Sequence, residues 1–267
     1  IAIPLWTWGP PLVFVSAAVL LAGSLVSAWR GFGWTWKRTA AFAILAGLVI
    51  TLPVYRTFPS AYDDTPSDVL MDLPLEGPVT VAWGGRSPGR NYHVGSPAER
   101  WAFDLLITVD GVSHRNAGKV VTDYYAYDTP VHAPADGLVV SVRDGVPDAV
   151  PGEAEPDQVG GNTIVMEVAP NQYLFLVHLK AGSLRVAPGE RVKRGDIVAH
   201  VGNSGNTSEP HLHIHLQDAP SLERAQGIPF YFSNYVDVRA NTYVQRGIPR
   251  GGIRRGQYRG DIVRAAH

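Results

Sequence analysis

Three histidines within five residues, His211, His213 and His215, alternate with aliphatic residues in the segment 210–216 (PHLHIHL). Successive side chains of a β-strand point to opposite faces, so this pattern predicts a strand with three imidazoles on one face and aliphatic side chains on the other. Neutral imidazole is the commonest protein ligand of metal ions. The alternative is a solvated polar face, but nine histidines in 267 residues make this spacing improbable by chance. The segment therefore indicates a metal or reaction site.

A single strand does not surround a metal ion, so further ligands must come from other segments. The chain contains no Cys, which leaves His, Asp and Glu as candidates. His93 follows a glycine-rich loop, and Asp104 lies inside the apolar run 101–107 (WAFDLLI). A buried carboxylate needs a cation or hydrogen-bond donors, and backbone N–H groups are the alternative to a metal here. His178 lies in the strand-like run 173–179, and taken alone it is equally consistent with a core histidine.

Four segments, in this order along the chain, resemble the lysostaphin/LytM-type zinc metallopeptidases, which cut peptide bonds in bacterial cell walls. They are Asn91-Tyr-His93 with Asp104, the segment 129–137 (TPVHAPADG), Val177-His-Leu179, and 202–206 (GNSGN) leading into Pro210-His-Leu-His213. The resemblance covers about residues 76–235.

The resemblance implies one Zn²⁺ per chain, held by His93, Asp104 and His213. It also implies that His178 and His211 are active-site histidines that do not bind the metal. Their expected roles are to accept the proton of the attacking water and to stabilise the oxyanion, and the sequence does not divide these roles between them.

Two further residues are weaker candidates for the surroundings of the metal. His215 lies two residues beyond an implied ligand and on the same strand face, and a plain surface role is the alternative. Asn91 could orient the loop that carries His93.

The chain departs from the family pattern at one point. The familiar motif is His-x-x-x-Asp, whereas Asp104 follows His93 by eleven positions. A literal His-x-x-x-Asp occurs at His132 to Asp136, in the sequence HAPAD. We interpret this second pattern as a proline-bounded turn, because an Asp directly before Gly137 is typical of turns. Asp104 rather than Asp136 is therefore expected in the site.

The expected function is that of a membrane-anchored zinc-dependent endopeptidase, which hydrolyses peptide bonds in peptidoglycan with metal-activated water. The alternative is a non-catalytic family member that binds cell-wall peptides or activates another hydrolase. The presence of every implied ligand and both additional histidines favours the enzyme. A net charge of −1 argues against a nucleic-acid partner, so the expected partner is a peptidoglycan peptide. The sequence does not indicate an oligomeric state.

Residues 1–59 are predicted to be a membrane anchor with two transmembrane helices. The uncharged apolar runs at about 11–29 and 39–55 are nineteen and seventeen residues long, close to the roughly 20 residues that span a bilayer. The loop between them carries three basic residues and no acidic residue, which predicts a cytoplasmic loop. The expected location is the cytoplasmic membrane of a bacterium, with the catalytic domain outside the cytoplasm. A buried helical hairpin of a soluble domain is the alternative.

The remaining chain is divided into a linker (60–75), a zinc metallopeptidase domain (76–235) and an arginine-rich C-terminal tail (236–267). The tail is expected to be solvated or to contact an anionic wall polymer or lipid headgroups. Short apolar runs separated by Gly and Pro predict a mainly β domain with an antiparallel sheet or sandwich. The predicted strands are 79–83, 101–109, 137–142, 162–168, 173–179, 197–201 and 211–216.

Overall fold

The computed structural model describes residues 65–87, 89–221, 225–254 and 257–266. The predicted membrane anchor, 1–59, lies outside the described residues, and so do both of its predicted transmembrane helices. Within the described ranges, no helix has the length and apolar composition that crossing a membrane requires.

Short β-strands and single-turn 3₁₀ helices make up the regular structure of the described ranges. The strands are β1 (Leu70–Met71), β2 (Val79–Trp83), β3 (Phe103–Leu106), β4 (Pro130–His132), β5 (Gly137–Arg143), β6 (Asn162–Ala169), β7 (Gln172–Leu179), β8 (Arg191–Val192), β9 (Ile197–His200), β10 (Leu212–Gln217), β11 (Tyr231–Asp237), β12 (Thr242–Gly247), β13 (Ile253–Arg254), β14 (Gln257–Tyr258) and β15 (Ile262–Ala265). The 3₁₀ helices are η1 (Tyr92–Gly95), η2 (Val121–Asp123) and η3 (Pro156–Gln158). The prediction of a mainly β domain is confirmed.

Eleven strands form one large sheet in the order β1-β11-β15-β2-β3-β10-β7-β6-β5-β8, with β12 also paired to β11. Its pairings are antiparallel except for β1 with β11, which are parallel. Two small sheets, β4–β9 and β13–β14, are separate from it. The antiparallel sheet that the sequence predicts is thus present, with β10 near its centre.

One apolar core fills one face of the large sheet. The aliphatic residues of β10 are fully buried there and share a cluster with β3, β7 and the small β4–β9 sheet. The core members from these strands include Leu212, Ile214, Leu216, Phe103, Leu105, Leu174, Leu176, Val131 and Val198. Full burial of an aliphatic or phenyl side chain contributes about 1.5–3 kcal/mol, so this packing fixes which face of β10 points away from the core.

Each of the seven predicted strands coincides with an observed strand. The match is closest at β2, whose bounds are those predicted, and loosest at β3, which is shorter than the predicted 101–109. In this part of the chain the apolar runs bounded by Gly and Pro therefore located the strands correctly.

The structure differs from the expected linker and tail. Within the described part of 60–75, β1 pairs with β11, and Met71 is fully buried in the core. The segment 236–267 supplies β12 to β15, and β15 lies between β11 and β2 in the large sheet. These strands are only two to six residues long, and in β15 buried Val263 is followed by exposed Arg264. Few apolar positions are buried in 236–267, and its composition is rich in arginine. The sequence of this segment therefore shows no strand pattern.

Candidate functional site

The face of β10 opposite the core carries histidines, as the alternation of the sequence predicts. His213 and His215 are both buried on this face, and His211 directly precedes the strand. His213 pairs with Asp104 of β3 on one side and with Val177 of β7 on the other. The strand register therefore brings together residues that are distant along the chain.

His93 reaches the same face from η1, and the loop around it is fixed by Asn91. The Asn91 side chain is fully buried, and its Oδ1 accepts the N–H of His93 at 3.1 Å. Its Nδ2 donates to the carbonyl oxygens of Gly85 at 3.0 Å and Ala102 at 3.1 Å. Asn91 thus holds the glycine-rich loop, η1 and the start of β3 against one another.

Three buried side chains meet where these elements converge. His93 Nε2 lies 3.0 Å from both carboxylate oxygens of Asp104, and His213 Nδ1 lies 3.0 Å from Asp104 Oδ1. One potential ligand atom from each residue falls within 4.8 Å of the others. Two imidazoles and one carboxylate are a donor set that binds Zn²⁺, so these residues could hold a metal ion. Their assignment as ligands stays a prediction.

A chain of hydrogen bonds behind His213 determines which of its nitrogens carries a proton. The Gln217 amide Nε2 donates to the carbonyl oxygens of Ala219 at 2.6 Å and Ser221 at 2.9 Å. Gln217 Oε1 must then accept from His215 Nε2, 3.0 Å away. His215 Nδ1 is left as an acceptor, and His213 Nε2 donates to it across 2.9 Å.

It follows that the lone pair of a neutral His213 is on Nδ1, which faces Asp104. Burial raises the pKa of the Asp104 carboxyl, but the charges and hydrogen bonds of His93, His211 and His213 outweigh it and hold that pKa well below its usual range. A carboxylate oxygen and an imidazole lone pair 3.0 Å apart repel each other unless a positive charge lies between them. The cluster therefore requires a proton or a metal ion at this point.

His178 reaches the site through a bulge in β7. Between the pairs Asn162–Leu179 and Ile164–Leu176, β6 advances two residues and β7 advances three. His178 has a left-handed backbone, with φ of 62°, which is strained for a residue with a side chain. Strict alternation would turn His178 towards the core, whereas the bulge keeps both Leu176 and Leu179 in the core. The extra residue releases His178 to the site face.

His178 is buried and neutral at pH 7. Burial, helped by the nearby His211 and His213, lowers the pKa of His178 well below its ordinary value. Its Nδ1–H donates to the carbonyl oxygen of Ser204 at 2.9 Å, which leaves the Nε2 lone pair as an acceptor. The ring centre lies 4.9 Å from that of His211 and 5.9 Å from that of His213.

His211 lies next to both His178 and Asp104. Its Nδ1 donates to the carbonyl oxygen of Glu209 at 2.8 Å, and its Nε2 is 3.6 Å from Asp104 Oδ1. In both His178 and His211, one ring nitrogen is hydrogen-bonded to a backbone carbonyl oxygen. The other ring nitrogen of each is left available for catalysis. The structure brings all seven predicted residues together, five in the cluster with His215 and Asn91 as direct neighbours.

The cluster forms the floor of an open cleft with two cavities. One has a volume of about 430 Å³ and is bordered by His93, His178, His213 and His215. The other, of about 220 Å³, is bordered by Asp104 and His211. Tyr92 and Asn206 border both cavities, so an extended ligand would cross the cluster between them.

The second His-x-x-x-Asp pattern lies away from this cleft. Asp136 accepts the backbone N–H of Arg194 at 2.9 Å and Lys193 Nζ at 3.1 Å. The His132 Nδ1–H donates to the carbonyl oxygen of Gly195 at 2.9 Å. These contacts join the turn before β5 to the turn before β9, in line with the interpretation of 132–136 as a structural turn.

The sequence interpretation did not find several residues around the cluster. Gln217 orients His215, and Ser204 supplies the carbonyl that orients His178. Glu99 forms a second group of potential ligands with His213 and His215. Since His213 Nε2 donates its proton to His215, this second group is a hydrogen-bonded network rather than a metal site. For Gln217 the continued alternation of β10 was an available signal.

The fold and the site define a mainly β domain with a buried His–Asp–His group on the floor of an open cleft. Residues 119–224 match the family described as Peptidase family M23. Within these residues the chain matches that family, and its resemblance to the lysostaphin/LytM-type metallopeptidases is confirmed. His178, His211 and His213 lie within the matched residues, whereas His93 and Asp104 precede them.

Individual proteins show the same similarity. The chain is 35% identical over 110 residues to endolysin 2638A of Staphylococcus phage 2638A, a match covering 39% of this chain and 20% of the endolysin. The catalytic domain of lysostaphin from Staphylococcus simulans is 21% identical, with a TM-score of 0.33, 56% of this chain covered and 86% of that domain. A zinc-containing peptidase from Vibrio cholerae is also 21% identical, with a TM-score of 0.36 and coverages of 55% and 36%.

Proposed function

We propose that this protein is a zinc-dependent endopeptidase that hydrolyses peptide bonds in peptidoglycan. The observation that carries the proposal is the convergence of His93, Asp104 and His213 on the floor of a cleft, with two further histidines beside them. The match of residues 119–224 to Peptidase family M23 supports peptidase activity, and the similarity to an endolysin supports a cell-wall substrate.

In this proposal His93 Nε2, His213 Nδ1 and a carboxylate oxygen of Asp104 hold the ion. Zinc held by such ligands would supply a hydroxide-like nucleophile from water at neutral pH and would polarise the carbonyl oxygen of the substrate. The positive charge also removes the repulsion between His213 Nδ1 and Asp104 Oδ1, which are 3.0 Å apart. Gln217 and His215 hold the imidazole of His213 in the tautomer that binds.

His178 and His211 move and hold protons in this mechanism. His178 is neutral at pH 7 and presents an Nε2 lone pair, so it suits the acceptance of a proton from water. His211 has its Nδ1 on a backbone carbonyl and its Nε2 3.6 Å from Asp104 Oδ1, so its free nitrogen lies where it can stabilise an oxyanion. Both rings are oriented by backbone carbonyls, so little reorganisation is needed.

The deciding experiment measures zinc content and peptidoglycan hydrolysis in matched variants. His213→Ala removes a ligand and should lose both zinc and activity. His211→Ala should lose activity and keep zinc, and Asp136→Asn should keep both. Asp104→Asn should lose zinc, because an amide is a poorer ligand than a carboxylate. A wild-type protein that binds zinc but releases no peptide fragments would instead indicate the non-catalytic, peptide-binding role.

We also propose that the domain is anchored in the bacterial cytoplasmic membrane and acts outside the cytoplasm. The support is the composition of 11–29 and 39–55, with basic residues in the loop between them. Because the chain has no Cys, a single introduced Cys reports its own location. Asp68 is exposed, so Asp68→Cys should react with a membrane-impermeant thiol reagent on intact cells, and Thr35→Cys should not. Labelling of Thr35→Cys alone would place the domain in the cytoplasm.

A further inference from the structure

The 220 Å³ cavity beside His211 has a lining of unusual chemistry. Its walls carry three aromatic side chains, from Trp83, Tyr92 and Tyr258, and two carboxylates, those of Asp104 and Glu209. Among the described residues that border this cavity there is no Lys or Arg. The backbone carbonyl of Glu209 orients His211, but none of the functions assigned above uses the Glu209 carboxylate.

The Glu209 carboxylate is held in place from two sides. The Ser113 hydroxyl donates to Oε2, and the Tyr258 hydroxyl donates to Oε1. Ser113 is buried in the loop after β3, and Tyr258 belongs to β14. The backbone N–H of Tyr258 also donates to the carbonyl oxygen of Gly111 in that loop, at 3.0 Å. Three distant segments thus cooperate to fix one carboxylate at the cavity wall, and each carboxylate oxygen keeps a further lone pair.

A fixed carboxylate surrounded by aromatic rings attracts a cation. Aromatic faces bind ammonium groups through their quadrupoles, and a hydrogen bond between an ammonium and a carboxylate is stronger than a neutral one. Asp104 also borders the cavity, but its oxygens contact His93 and His213. Glu209 is therefore the carboxylate that is available to a ligand on this side of the cluster.

We propose that this cavity is a substrate subsite for a primary ammonium group, with Glu209 as its specificity-determining residue. The inference rests on the proposed peptidase function and adds the class of residue that is recognised beside the scissile bond. The ammonium group can belong to an amino side chain or to the free N-terminus of a short peptide branch. A volume of about 220 Å³ accommodates either one.

The test compares cleavage of two synthetic cell-wall peptides that differ only by lysine or norleucine at the diamino-acid position. The wild-type enzyme should cleave the lysine peptide with a kcat/KM about tenfold higher, since one charge-assisted hydrogen bond distinguishes the two. In Glu209→Gln, which keeps the size of the side chain, the ratio should fall towards one. A second pair with a free or acetylated branch N-terminus identifies which ammonium group is recognised, and a preference in neither pair overturns the proposal.

Matched variants separate recognition from folding. Glu209→Asp keeps the charge and should keep a preference for the ammonium peptide. Ser113→Ala removes one hydrogen bond that orients Glu209 without changing its charge, so it should reduce the ratio only in part and leave cleavage of the norleucine peptide unchanged. An unchanged ratio in Glu209→Gln, with zinc content and melting temperature retained, would overturn the subsite. Failure of the wild-type enzyme to cleave any peptide would instead overturn the peptidase function.

Discussion

At the scale of single residues, the ability of His213 to bind a metal depends on an amide four positions away. Gln217 has both of its N–H donors engaged by carbonyl oxygens, so its own oxygen has to accept from His215. That acceptance fixes the tautomer of His215, and His215 in turn fixes the tautomer of His213. The proposed ligand atom, Nδ1, is thus selected by hydrogen bonds that do not touch the metal site.

This relay predicts a loss of zinc affinity when Gln217 is changed. Gln217→Leu keeps the approximate volume and removes the acceptor, so the zinc Kd should rise about 10–100-fold, as for other supporting residues of metal ligands. Gln217→Glu keeps an acceptor oxygen and should bind zinc more tightly than Gln217→Leu. Competition with a chromophoric chelator measures both variants. Wild-type affinity in a folded Gln217→Leu would show that the relay does not control the ligand.

The sequence predicted much of the site because its chemistry is local. The alternation around His213 placed the histidines on one face, and the isolated carboxylate in an apolar run identified Asp104. Glu209 and Ser204 were missed because their roles depend on partners far away in the chain, a tyrosine hydroxyl in β14 and the ring of His178. Such contacts depend on the order of the strands in the sheet, and local sequence patterns do not predict that order.

At the scale of elements, the bulge in β7 determines whether His178, one of the two histidines that are not proposed metal ligands, reaches the site. The extra residue turns His178 out of the core and places its backbone at φ of 62°. A left-handed conformation costs a residue with a Cβ about 1–2 kcal/mol, which the surrounding strands must supply. Local strain of this kind is typical of functional positions.

The strained backbone predicts an unusual order of stability among variants of His178. His178→Gly and His178→Ala both remove the imidazole, but glycine adopts positive φ freely. The glycine variant should therefore be more stable than the alanine variant by about 1 kcal/mol, although glycine normally destabilises a strand. Urea unfolding of both proteins provides the measurement, with hydrolysis expected to be lost in each. A more stable alanine variant would mean that the bulge relaxes when the ring is removed.

At the scale of the whole molecule, the strands near the C-terminus complete the sheet that carries the site. β15 lies between β11 and β2, with Val263 opposite Val79 and fully buried. The sequence suggested a solvated tail because its arginines outnumber the few buried positions. In the structure, β15 joins β11, β12 and β1 to the part of the large sheet that carries the site.

Removal of β13 to β15 should therefore abolish folding. Truncation after residue 247 removes β13 to β15 and leaves the edges of β2 and β11 unpaired, which promotes aggregation. We expect an insoluble product or one without cooperative thermal unfolding. Arg264→Ala changes only an exposed side chain of β15 and should fold normally. A soluble truncated protein with the wild-type melting temperature would contradict the arrangement.

The buried histidines predict an acid-sensitive fold in the metal-free protein. Burial lowers the pKa of both His178 and His215 well below 6.5 in the folded state. The unfolded chain takes up protons at these residues near pH 6.5 while the folded chain does not, so stability falls as the pH drops below about 6.5. His93 acts in the opposite sense, since Asp104 raises the pKa of His93 against the effect of burial, and its contribution is lost above pH 6.5.

Denaturant unfolding of the metal-free protein at pH 7.5, 6.5 and 5.5 measures this dependence. His178→Asn removes one titrating ring with a residue that tolerates positive φ, so its stability should fall less steeply between pH 6.5 and 5.5. Equal slopes for the variant and the wild-type protein would show that His178 is already protonated in the folded state.

The position of β15 also determines when the large sheet can be completed during synthesis. Thr80 finds its partner only when Ile262 has been made, since these residues pair directly in the sheet. At about 5–20 residues per second, the edge of β2 stays unpaired for many seconds, and that of β11 for a few seconds, before β15 can enter between them. We expect the nascent protein to need a chaperone during this interval. The large sheet that carries the site is therefore completed only after β15 has been synthesised.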